Sequence, residues 1–281
     1  MTATTLEELI GGTVTIPTVP TTLNEINRIL EDPEGSAPEA AEVIVKDQAI
    51  ATKVLRLANS PLYGLRNPIS NIPHAVSILG LKTLRNLVVQ ATILDQFRNN
   101  DPKGRFDAAW LWDHSVKTGQ CARTLARRFP KEFGIDHEEA YTAGLLHDIG
   151  MILLLENTGD RFQEALERSS KECRPLHLVE SEIFGYHHGQ VGGFLAKSWK
   201  LGPRLESAIN DHHSEPSDEE AWKNGRILKL ANGIAHRVSG KDPGYQGDPI
   251  EEEWLHFLDH EEENGIQSLL DEIAAVGIEE E

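Results

Sequence analysis

A histidine and an aspartate side by side in an apolar stretch are the clearest chemical signal in this chain. They fall in Gly144-Leu-Leu-His-Asp-Ile-Gly150, where leucine and isoleucine around His147 and Asp148 belong in a core. A carboxylate buried without a partner costs several kcal/mol, so Asp148 needs a cation, a metal ion or strong donors. Adjacent side chains on a helix point about 100° apart, which suits two ligands approaching one ion or a carboxylate bridging two. An aspartate that caps or pins a neighbouring helix would meet the same need. Three further sites favour the ligand reading. His114 lies in Trp110-Leu-Trp-Asp-His-Ser115, His188 in Tyr186-His-His-Gly-Gln-Val-Gly-Gly193, and His212-His213 follow Ile209-Asn-Asp. Each site is predicted on a separate helix, the arrangement from which a metal centre inside a helical bundle is built. Imidazole and carboxylate donors suit a divalent transition metal, Fe, Zn, Mn or Ni. His187 stands in for His188 if the helix phase differs. His74, His137, His177, His236, His256 and His260 lie in ordinary amphipathic or loop contexts and read as structural or surface residues.

The elements that must position these side chains are helices. Thr5-x-x-Glu8, Thr22-x-x-Glu25, Ser36-x-x-Glu39 and Ser217-x-x-Glu220 have the capping-box form. Asp136, with Glu139 three residues on, opens a helical segment expected from Ala140 to Leu155. Ile50, Val54, Leu57 and Ala58 share one helical face, as do Leu84, Leu87, Val88, Ala91 and Leu94. No run alternates with a period of two between hairpin turns, so the fold class is all-α. A polar loop, Asn99 to Gly104, and a breaker-rich stretch, Ser239 to Pro249, divide the chain. The expected parts are an N-terminal helical subdomain (1–100), a second helical subdomain (101–240) and an acidic C-terminal segment (241–281). In the last, Ile266, Leu269, Leu270, Ile273 and Val276 could form one more amphipathic helix.

Charge narrows the partners. Lys and Arg number 27 against 45 Asp and Glu, a formal charge of −18. Such a surface repels a phosphate backbone, and the one dense basic stretch, Arg123 to Lys131, is short, so general nucleic-acid binding is not expected. The acidic runs near the C-terminus read as a solvated tail. No apolar run approaches the length that crosses a bilayer, and the first residues lack the pattern of a signal peptide. A cytoplasmic location follows, with Cys121 and Cys173 reduced and buried. The segment before Leu23 is too short for a receiver or sensory domain, so a signal is expected from a separate protein or a small-molecule nucleotide.

Taken in order, these motifs resemble the HD superfamily, and within it the HDOD family of bacterial signalling output domains, over about residues 12 to 240. In the first half the resemblance rests on Ile16-Pro-Thr-Val-Pro20, Ile44-Val-Lys-Asp-Gln-Ala-Ile50, the run Lys53 to Gly64 containing Ala58-Asn-Ser-Pro61, and Ile69 to Gly80. In the second half it rests on Trp112-Asp-His-Ser115, the His147-Asp148 motif, His188 with its glycines, Trp199 to Pro203, and His212-His213. The resemblance implies an HD-type helical bundle with an N-terminal helical subdomain, acting as a regulatory signal-transduction module. His114, His147, Asp148, His188, His212 and His213 match positions that bind metal in HD phosphohydrolases. The alternative it implies is therefore a metal-dependent phosphohydrolase or phosphodiesterase acting on a nucleotide or cyclic dinucleotide. Lys117 and Arg204 would then be the candidates for phosphate contact. Three departures weigh against that activity. Asn232 stands where the terminal acidic ligand is expected, leaving a weak ligand or a supporting residue. Met151 follows the motif where a lysine is expected, and no Gly-Tyr-Pro follows His213. Asn59, Ser60 and Tyr63 mark either a family surface or plain helix-end and turn chemistry.

Overall fold

Residues 20–60, 63–99, 106–215, 219–239, 244–247, 250, 268 and 271 are described by a computed structural model. Among them every regular element is a helix, and the one β-bridge joins Pro175 to Gln246. The chain divides into two compact units, the described residues of Pro17–Gln96 and those of Phe97–Ile273.

The first unit holds α1 (Thr21–Glu31), α2 (Ala37–Lys46), α3 (Gln48–Ala58), α4 (Ile72–Leu79) and most of α5 (Leu81–Asn99). Its core follows the faces expected from periodicity: Ile50, Val54 and Ala58, and Leu84, Leu87, Val88 and Ala91, are buried, Leu57 is only half-buried, and the Leu94 side chain lies outside the described residues. Ser36 caps α2 by accepting from the Glu39 amide at 3.3 Å. Thr22 does not cap. The first helix begins at Thr21 behind Pro20, and the Thr22 hydroxyl instead donates to Asp47 Oδ2 at 3.1 Å. Asp47 Oδ1 accepts from the Ile50 amide, so this one carboxylate caps α3 and ties it to α1. Asn59 ends α3 and makes a staple. Its Nδ2 donates to Leu55 O and Ile69 O, and its Oδ1 accepts from the Ile69 amide at 2.7 Å. Helix-end chemistry therefore accounts for Asn59.

The second unit runs through α6 (Ala108–Arg128), α7 (Pro130–Phe133), α8 (His137–Leu146), α9 (Ile149–Thr158), α10 (Asp160–Glu172), α11 (Leu176–Phe184), α12 (His188–Ser198), α13 (Pro203–Asp211) and α14 (Glu219–Ser239). Asp136 caps α8, accepting from the Glu138 and Glu139 amides. A buried ion pair, Arg123 to Glu138, links α6 to α8. Close approach of these two helices depends on glycine: a Cβ on Gly144 would stand 2.6 Å from Gly119 Cα. Gly150 plays the same part where α9 meets α12, because a Cβ there would collide with the His188 carbonyl.

The expected continuous helix from Ala140 to Leu155 is broken at the chemical motif itself. His147 keeps helical angles, but Asp148 turns to φ −99°, ψ 8° and becomes the cap before Ile149. Cys121 is buried, whereas Cys173 is exposed, a departure from expectation. It ends α10 in a left-handed conformation, φ 52°, and that turn carries its side chain outward. Most of the two loops expected at 99–104 and 239–249, the Thr5 and Ser217 caps and the Ile266–Val276 helix lie outside the described residues. No described helix is long and apolar enough to cross a membrane.

Candidate metal centre

Four helix ends and two helix interiors converge around Asp148. The break between α8 and α9 aims its carboxylate into the bundle, 3% exposed, at a ring of imidazoles. Oδ2 lies 3.0 Å from His147 Nε2 and 3.7 Å from His114 Nε2. Oδ1 lies 3.2 Å from His188 Nε2 and 3.8 Å from His212 Nε2. His213 Nε2 sits 2.8 Å from His188 Nε2. The donor atoms of His114, His147 and Asp148 fall within 4.8 Å of one another, as do those of His188, His212 and His213.

The far nitrogens fix which way these rings face. His147 Nδ1 lies 2.7 Å from Gly144 O, and His212 Nδ1 lies 2.7 Å from Ile209 O. A carbonyl only accepts, so both Nδ1 atoms carry the proton and donate it. His212, kept neutral by burial, then presents its Nε2 lone pair toward the carboxylate. His212 Nε2 is buried without a hydrogen-bond partner. His188 Nδ1 donates to Glu180 Oε2 at 2.7 Å, and the His188 amide donates to the same oxygen at 2.9 Å. His147, His188 and His212 thus have their outer nitrogens held by acceptors, the support by which proteins orient metal-binding imidazoles.

Electrostatics without a metal follow from burial and these neighbours. Burial drives the pKa of His114, His212 and His213 well below the usual imidazole value, helped by the surrounding rings. Burial alone would raise Asp148, but His147 and His188 outweigh it and hold the carboxyl well below the ordinary range. Burial would also lower His188, yet Glu180 and Asp148 push it up to about 10. His188, held between two buried carboxylates, is therefore a cation of the metal-free site.

The family profile for the HDOD domain matches residues 16–215, well over half of the chain. The chain belongs to the HDOD family. An HDOD domain protein of unknown function from Geobacter sulfurreducens has a TM-score of 0.71 at 27% identity, over 96% of this chain and 87% of its own. A Shewanella amazonensis SB2B protein, provisionally called a phosphohydrolase, has a TM-score of 0.70 at 25% identity, over 92% and 90%. An uncharacterized protein of Treponema pallidum (strain Nichols) is 27% identical over 74% of this chain, which spans only 39% of that protein's length.

In this HDOD chain the structure brings His114, His147, Asp148, His188, His212 and His213 together, with Asn232 of α14 buried beside them. The helix phase selects His188; His187 precedes α12 and packs its ring on His213. Lys117 and Arg204 are directed elsewhere. Lys117 pairs with Asp113 at 2.6 Å, and Arg204 donates to Gly134 O at 3.1 Å. The cavity beside Asp148 is lined by Met151, His177, His188, His213, Asn232, His236 and Tyr245, among others.

Four of the residues here were not legible as site residues. His177 stacks on His213 with ring centroids 4.2 Å apart, and His236 lies 4.3 Å from His114. Both were expected to be structural or surface residues. Their amphipathic contexts hide that α11 and α14 turn them toward the cluster. Glu180 is wholly buried. The usable signal was a carboxylate inside the apolar face of Leu176-His-Leu-Val-Glu180, the same pattern that marks Asp148. Tyr245 comes from beyond α14, where nothing in the sequence pointed inward.

Proposed function

We propose that this HDOD chain is a signal-transduction output module whose second unit holds a divalent transition metal, Fe, Zn, Mn or Ni, as a structural or sensory element. One observation carries the reading: His212 gives its Nδ1 proton to Ile209 O, is kept neutral by burial, and faces Asp148 with an Nε2 lone pair that has no hydrogen-bond partner. Acceptor facing acceptor in a buried site is unfavourable unless a cation lies between them. The residues fit the group. His114, His147, Asp148, His188, His212 and His213 would hold the ion, and Asn232 would contribute weakly or from behind. Bound there, a metal supplies charge neutralisation and cross-links α6, α8, α12 and α13, adding binding free energy to folding.

The alternative is a metal-dependent phosphohydrolase, acting on a nucleotide or cyclic dinucleotide, favoured by the size of the retained donor set. A metal would then polarise phosphoryl oxygen and activate water. Against this stand the neutral Asn232, Met151 in place of a cation, and the distant engagements of Lys117 and Arg204. A separate signalling chain or a small-molecule nucleotide is the expected input. Calorimetric titration of chelator-stripped protein with Zn²⁺ and Mn²⁺ tests the reading. Binding is expected in the wild type and not in Asp148→Ala. Absence of binding in both would overturn it. Hydrolysis of bis-(p-nitrophenyl) phosphate or a cyclic dinucleotide, lost in His147→Ala and Asp148→Ala, would decide for the enzyme.

A further inference from the structure

The cavity beside Asp148 has a wall that the helices do not supply. Tyr245, Gln246 and Gly247 line it, beyond the residues matched to the HDOD domain. They are held by the bridge between Pro175 and Gln246. The Leu176 amide donates to Gln246 O, and the Gln246 amide donates to Ser169 Oγ, each at 2.9 Å. Tyr245 is 7% exposed, and its ring stands edge-on to Trp110 and His236. Its hydroxyl is buried with no hydrogen-bond partner while lining the cavity. Burial and the nearby carboxylates of Asp148 and Glu180 push this phenol well up, so it remains a neutral donor. The space left for solvent is about 10 Å³, room for a single water.

We propose that residues 244–247 form a strap that plugs the histidine cavity with Tyr245, so that nothing larger than water reaches Asp148 and its imidazoles until the strap lifts. This rests on the cavity being the ligand site argued above. The strap suits the part because, among the described residues, it is tied through Gln246 and the Tyr245 ring and not by a helical face. Gly244 takes a left-handed turn, φ 77°, and Gly247 lies against the His236 ring where a Cβ would press on it. The unpartnered hydroxyl is positioned for an ion-bound water or anion in the cavity to accept its proton.

Diethyl pyrocarbonate, a reagent larger than water that modifies imidazoles, tests the strap with or without metal. Peptide mass spectrometry would follow His177 and His213, with the half-exposed His137 as reference. Tyr245→Ala should raise their labelling rate about tenfold over the wild type, whereas Tyr245→Phe, which keeps the ring, should stay closed. Ser169→Ala, which loosens the strap from outside the cavity, should give a smaller increase and carries the test should Tyr245→Ala fail to fold. Removal of bound metal by EDTA should follow the same order. Equal labelling of the wild type and the folded loosened variants would overturn the strap, as would Tyr245→Phe behaving like Tyr245→Ala. A chain that takes no metal sinks the metal reading, and the labelling rates then decide the strap by themselves.

Discussion

Asp148 meets four imidazole nitrogens, and the protons on the far side of those rings decide what it can tolerate. Glu180 controls one of them. By accepting from both the ring and the amide of His188, it fixes the ring's rotation and raises its basicity. Glu180→Gln keeps the shape and removes the charge. Metal affinity, read by calorimetric titration, should fall about 10- to 100-fold, the usual effect of losing such a support. Unchanged affinity would mean that His188 is oriented by packing alone. The ligand-type residues were legible because His147, Asp148 and His188 interrupt apolar or glycine-marked stretches, where a polar side chain demands an explanation. His177 and His236 were not, because a histidine on an amphipathic helix is compatible with either face until the helix is docked.

Helix ends, more than helix bodies, build the second unit's site. Asp148 stands just before α9, His188 opens α12, and His212-His213 close α13. Ends supply the freedom that regular helix withholds: on a continuous helix His147 and Asp148 would diverge, and the turn at Asp148 brings them to one point. Gly144 should be an intolerant position in this frame. Gly144→Ala drives a methyl into the Gly119 backbone, and overpacking of this kind costs about 1–3 kcal/mol, measurable by urea unfolding. Asp136→Ala should cost about 1 kcal/mol through loss of the α8 cap, with metal binding retained. Caps such as Ser36 and Asp136 were readable because their side chains have a local task. Thr22 followed the same pattern but answers to Asp47, 25 residues away, which no local rule registers.

Across the whole molecule the buried histidines set the pH response. Without metal, His114, His212 and His213 have folded-state values below 6.5, so the unfolded chain binds more protons as pH falls, and acid destabilises. His188 works the other way. Its contribution is fully present below 6.5 and is lost as pH rises toward about 10. Thermal melts of the stripped protein should therefore peak near neutrality and decline into the alkaline range. The metal-loaded protein should keep its stability there, because the ion replaces the His188 proton. A net charge of −18 predicts no retention on duplex DNA at physiological salt in a filter-binding assay. The all-α class and the HDOD family were legible from helical periodicity and ordered motifs. The strap at 244–247 was not, since its place over the cavity depends on a bridge to Pro175 made only in three dimensions.

The most direct test of the account is elemental analysis of the purified chain after expression in medium supplemented with Fe, Zn, Mn and Ni. The account predicts a bound divalent transition metal in the wild type and its loss in folded Asp148→Ala and His147→Ala proteins. A wild-type protein that emerges free of metal, with its fold intact, would contradict it.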